Sequence, residues 1–259
     1  MLFRSLSIPC HRHPPGHSIQ GQYRQQKHCG QPEGHRQRPT SRAVLLQFIH
    51  HGTAAIALDG SDVYLCWQRF VDRHDSLMAS CRRGDEAVWE REISDGGEVL
   101  HPVILAHGGA IWYAWSEYAR ENWRILARCY RDGQWGEVLT VASGEALFFP
   151  RLFTWQGKLH VIWTEQHKGS AAAVLCPLTE AGPGAAETVS TVGEAYRAGA
   201  AEGGDGNLYA AYDGFDGKQY KLFARARTAA GWSEEIVVSQ GEDWASTPWI
   251  AAKPDGARI

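Results

Sequence analysis

The chain repeats itself with a period of about 48 residues, and no other feature limits its fold as strongly. The stretch HPVILAHGGAIWYAW ends at Trp115, and FPRLFTWQGKLHVIW ends at Trp163, 48 residues on. RAGAAEGGDGNLYAAY carries the pattern to Tyr212 with one residue extra, and TAAIALDGSDVYLCW anticipates it at Trp67. A second marker keeps the same step: Pro102, Pro150, Ala198 and Pro248 are spaced by 48, 48 and 50. Cys81, Cys129 and Cys176 follow at 48 and 47, each in an apolar run, and Trp89, Trp135 and Trp232 recur near the close of their units. Each unit reads as four strands of five to eight residues. Gly and Asp-Gly turns such as Asp59-Gly60, Gly108-Gly109, Asp205-Gly206 and Asp255-Gly256 break them.

A four-stranded sheet with apolar residues on both faces cannot bury them alone and must stack against copies of itself. The alternation in Leu-His-Val-Ile-Trp and Ile-Trp-Tyr-Ala-Trp supplies no helical period, and a parallel β-helix would need shorter coils. The sequence therefore predicts an all-β fold, a β-propeller of four-stranded antiparallel blades of about 48 residues. Trp67, Trp115, Trp163 and Tyr212 are expected to pack between blades. The three repeated thiols, on equivalent strands about 10 Å apart, are too distant to bridge and should be free and buried. Residues 44–259 hold about 4.5 periods, so the chain reads as a propeller fragment truncated in its fifth blade, with a further domain able to follow.

Of the 259 residues, the first 43 differ in texture: they carry seven Lys/Arg, five His and one acid, Glu33. Residues 1–43 read as a disordered or non-native leader. Cys10, His11, His13, His28, Cys29 and His35 have zinc-compatible side chains, but their spacing fits no standard finger, and no metal or cofactor is expected. After residue 43 there are 19 basic and 28 acidic residues, a net of −9, which disfavours nucleic acid as a partner. No run approaches eighteen apolar residues, and MLFRSLSI is too short for a secretory signal, so no membrane association is expected. That makes the cytoplasm the default compartment, with an extracytoplasmic one open if the N-terminus is misassigned.

The unit of Pro, strand, Gly turn, strand ending in Trp, strand and late Trp resembles the repeat of BNR or sialidase-like β-propellers over residues 44–259. The resemblance implies a carbohydrate or other small ligand on the propeller face, with glycoside hydrolysis or polysaccharide lysis as the associated chemistries. Two departures count against sialidase catalysis. The Asp-box turn survives only as the altered Arg131-Asp132-Gly133-Gln134-Trp135, and the Arg-Ile-Pro signature is absent. Lys253-Pro254-Asp255-Gly256 is similar to the repeats of TolB-type and peptidase-associated propellers, which keeps an accessory propeller of a larger hydrolase open. A non-catalytic lectin or protein-interaction scaffold is the remaining alternative.

In a propeller the loops entering the first strand share a face with those joining strands two and three, and function sits on such loops. Thr53, His101, Phe149, Arg197 and Thr247 precede the first strands at equivalent positions. Arg69, Glu117, Glu165 and Asp213 follow the second strands, Asp213 one residue early. Glu117 and Glu165, if about 5–9 Å apart, could be the paired acids of glycoside hydrolysis, with His101 moving a proton. Arg69 and Arg197 could hold a uronate or sialate carboxylate, and Asp213 is a further candidate for ligand binding. Phe149, Trp123 or Trp244 could stack on a sugar. Packing, rim ion pairs and strand-end solvation are the plainer roles for the same residues.

Overall fold

The computed structural model describes residues 54–94, 96–241 and 244–251. The leader, its zinc-compatible side chains, Thr53 and residues 252–259 lie outside the described residues. The described residues hold nineteen strands and no helix. Blade one is β1 (Ala54–Asp59), β2 (Asp62–Val71), β3 (His74–Arg83) and β4 (Glu86–Glu92). Blade two is β5 (Glu98–His107), β6 (Ala110–Ala119), β7 (Asn122–Arg131), β8 (Gln134–Trp135) and β9 (Leu139–Gly144). Blade three is β10 (Ala146–Trp155), β11 (Lys158–His167), β12 (Ser170–Thr179), β13 (Gly182–Pro183) and β14 (Glu187–Thr188). Blade four is β15 (Ala195–Glu202), β16 (Leu208–Phe215), β17 (Tyr220–Thr228), β18 (Gly231–Trp232) and β19 (Ile236–Val237).

Each blade is an antiparallel meander in chain order. In blades two to four the outermost strand is split into two short pieces that both pair with the third strand. Most of the inner strands run to ten residues, longer than the expected five to eight, because pairing continues beyond the turns and through a bulge. In blades two and three, two-residue turns with both φ angles positive join the three inner strands, among them Gly108-Gly109 at 59° and 71° and Gln156-Gly157 at 49° and 69°. This backbone twist matches that of the flanking strands, which is why glycine recurs there.

The first strands of successive blades, β1, β5, β10 and β15, pack against one another, so they are innermost and line the axis. Three apolar clusters fill the spaces between blades. Trp115 lies between blades one and two, Trp163 between two and three, and Tyr212 between three and four, all essentially fully buried. Removing a ring of that size from such a site costs about 3–5 kcal/mol. Cys66, Cys81, Cys129 and Cys176 are free and buried, and burial pushes the Cys66 thiol up to about 12 and Cys176 up to about 11.

Candidate functional site

The repeated Pro marks a bulge. Pairing of β5 with β6 slips between Leu100 and Val103, that of β10 with β11 between Phe148 and Arg151, and that of β15 with β16 between Tyr196 and Gly199. The second bulged residue is Pro102, Pro150 or Ala198, at a place in the ladder where no N–H is required. The first is His101, Phe149 or Arg197, with φ of 52°, 55° and 49°, and Thr247 follows at 59°. Side chains rarely adopt that conformation, and a bulge re-aims the residue it holds. His101, Phe149 and Arg197 therefore sit within the innermost strands, three, three and two residues after the strand begins, rather than before it. The upstream residues Glu98, Val99 and Leu100 also find partners on β6.

The bulge residues touch in sequence around the axis. The His101 and Phe149 rings lie 4.2 Å apart, and the Arg197 guanidinium stands 5.9 Å from the Phe149 ring. Arg197 grips Asp213 with Nε at 2.8 Å and Nη2 on the second oxygen, and Asp213 accepts the Thr247 N–H at 3.2 Å. Arg151 adds its guanidinium over Trp249 at 4.6 Å and donates to the Pro248 carbonyl at 3.0 Å. Burial lowers the His101 imidazole to about 4, so it is neutral at pH 7, and its Nδ1 has no hydrogen-bond partner.

Asp213 belongs to a different register column from the one expected. It pairs with Tyr196 as Thr164 pairs with Phe148 and Ser116 with Leu100, so its equivalents are Ser116 and Thr164, not Glu117 and Glu165. This column carries a function that sequence reading missed. Thr164 Oγ1 accepts the Arg197 N–H at 3.1 Å, as Asp213 accepts that of Thr247, so each side chain holds the positive-φ residue of the next repeat. Period alone hides it, because blade four is one residue out of step.

The other expected residues do not join this ring. Arg69 donates to Ser76 at 3.3 Å and pairs with Glu92 at 2.9 Å on blade one. Glu117 is fully buried, accepting from Trp115 Nε1 at 3.1 Å and Arg124 Nη2 at 2.5 Å, so both carboxylate oxygens are occupied. Above it, between the tips of blades one and two, opens a polar cleft of about 470 Å³ lined by Arg73, His74, Tyr118, Arg120 and Arg124. Glu165 is half-buried and has no hydrogen bond or ion pair among the described residues. Trp123 packs on Tyr118 at 5.3 Å and on Phe148 at 4.6 Å, while Trp244 packs on Tyr220 at 5.6 Å, away from the bulge ring. Among the described residues no cluster of three or more His, Cys, Asp or Glu could hold a metal, and no helix is long and apolar enough to cross a membrane.

In three dimensions the chain is similar to the endo-arabinase from Bacteroides thetaiotaomicron VPI-5482, with a TM-score of 0.50 and 12% identity over 73% of this chain and 81% of that one. It is also similar to the α-L-arabinofuranosidase from Lactobacillus brevis, with a TM-score of 0.50 and 11% identity over 74% of each. The fold is a β-propeller. A GH43 endo-arabinanase from Bacillus licheniformis is similar at a TM-score of 0.47 and 13% identity, over 74% of this chain and 81% of that one. No protein-family model matches the sequence, and no curated protein matches it. The likeness supports the propeller part of the resemblance read from the repeats, and not the BNR or sialidase repeat in particular.

Proposed function

We propose that this propeller binds carbohydrate at the axial mouth formed by the bulge residues. The observation that carries the reading is the run His101, Phe149, Arg197, Thr247, four unlike side chains set at one strained backbone position in successive blades. An aromatic ring, a neutral imidazole, a guanidinium edge and a hydroxyl are the groups with which proteins hold sugar faces and hydroxyls. The propellers this chain resembles are glycoside-acting enzymes by name, which supports the same ligand class.

The charges count against a uronate or sialate. Arg197 is neutralised by Asp213, and Arg69 by Glu92, so neither guanidinium is left to pair with a ligand carboxylate. Hydrolysis is a second reading, favoured by Glu165 alone. With Glu117 locked to Arg124, the pair of acids that such chemistry requires is short of one member, and binding comes ahead of turnover. Calorimetry against neutral and acidic oligosaccharides, arabinan fragments included, together with a reducing-sugar assay, tests both readings. Phe149→Ala should weaken binding about tenfold or more, in line with about 1.4 kcal/mol of lost ring contact. Equal binding by Phe149→Ala, or no binding by any oligosaccharide, would overturn the proposal.

A further inference from the structure

The internal repeat exposes a missing arginine. On β6, Trp115 Nε1 and Arg124 Nη2 both donate to Glu117, and Arg124 stands directly across the ladder from it. On β11 the same two residues recur as Trp163 and Glu165, again two apart on one face of the strand. Across the ladder from Glu165 stands Ala172. Without the guanidinium, the set is left open. Trp163 is 1% exposed, yet its Nε1 has no partner, and Glu165 has none among the described residues. Both residues face the space between blades two and three, where Trp163 packs in the same apolar cluster as Trp123 and Ala172.

Two further features mark this space as unlike its neighbour. Ser116, on the β6 face turned toward blade three, is fully buried, and its Oγ has no partner, although its equivalent Thr164 holds the next bulge. Gly97, which closes over Glu117, is replaced one period later by Glu145, a second carboxylate. Glu145 accepts the Lys168 N–H at 3.2 Å and lies 3.4 Å from His167 Nδ1. A buried donor without an acceptor is costly, and a half-buried carboxylate favours a cation.

We propose that the Glu165 end of the interface between blades two and three is a subsite for an amino sugar, whose protonated nitrogen takes the place that the Arg124 guanidinium holds one blade earlier. Glu165 accepts from the ammonium, Trp163 Nε1 donates to an adjacent hydroxyl oxygen, and the Trp123 and Phe148 rings form an apolar wall leading toward Phe149. This rests on the carbohydrate reading above and narrows it to glycans with a free amine next to a hydroxyl.

The test compares a glucosamine tetramer, its fully N-acetylated counterpart and a neutral glucose tetramer on the whole chain by calorimetry. The indole N–H resonance of Trp163 is followed by NMR in parallel. Glu165→Gln, which keeps the shape, should weaken the amine-bearing tetramer at least tenfold and leave the other two within twofold. Ala172→Arg should restore the closed set and abolish the Trp163 shift, with Glu165→Gln serving alone if that variant fails to fold. Equal affinity for the amine and its acetylated form, or insensitivity to Glu165→Gln, overturns the inference while leaving carbohydrate binding in place. Failure of all three tetramers to bind overturns the carbohydrate reading and the amino-sugar assignment with it.

Discussion

At the scale of single residues, burial decides what each candidate side chain can do. His101 looks like a proton carrier in the sequence, but its rings of contact are Phe148 and Phe149, and burial holds it neutral. Its folded pKa of about 4 lies below the ordinary 6.5, so between those values the unfolded chain binds the extra proton. Stability is therefore complete above about pH 6.5 and is lost as pH falls toward 4, by about 3 kcal/mol at most for a shift of this size. Burial lowers His160 in the same direction. Thermal melts should show a fall in Tm from pH 7 to pH 4.5, flattened in His101→Asn, a residue that tolerates positive φ. Glu117 makes the complementary case. Arg124→Ala strands a fully buried carboxylate and should cost about 3–5 kcal/mol in urea titrations, whereas Glu117→Gln, which keeps an acceptor for Trp115, should cost less.

At the scale of elements, turns and bulges set where the strands begin, and the residues there tolerate little change. The β6–β7 turn is built on Arg120 and Glu121 at φ of 52° and 66°, a conformation that costs a side-chain-bearing residue about 1 kcal/mol or more. Replacing the pair with Asn-Gly should raise stability by about 1–2 kcal/mol, read as a higher denaturation midpoint with an unchanged slope. Gly97 behaves oppositely. A Cβ there would lie 2.5 Å from the Glu117 side chain and 2.8 Å from the Tyr118 carbonyl, so Gly97→Ala should destabilise by about 1–3 kcal/mol. The bulges themselves were visible in the sequence only as a repeated proline. Their meaning, a residue turned toward the axis, required the register of two strands.

At the scale of the whole molecule, stability is a sum over blades and the interfaces between them. The interfaces on either side of blades two and three are filled by Trp115, Trp163 and their clusters. By contrast Ile56 and Leu58 on β1, and Ile236 in and Val238 beside the last strand, are more than half exposed. Hydrogen exchange should accordingly be slowest in β6, β7, β11 and β12 and fastest in β1 and β19, and a uniform rate across the four blades would contradict additive blade stability. The axial mouth depends on this stacking, because its side chains come from successive repeats and Thr164 and Asp213 fix the positive-φ residue of the next one.

The period of aromatic, glycine and proline positions was enough to give the blades, their order, the packing role of Trp115, Trp163 and Tyr212 and the free thiols, because each follows from local alternation repeated along the chain. The same period placed His101, Phe149 and Arg197 at one level. It could not say that Glu117 is sealed by Arg124 while Glu165 is open, that Arg69 turns to Glu92, or that Asp213 answers to Thr164. Those facts depend on which residue stands across the ladder and which blade it faces. Only the folded register brings together positions that are seven, sixteen or thirty-four residues apart in the chain.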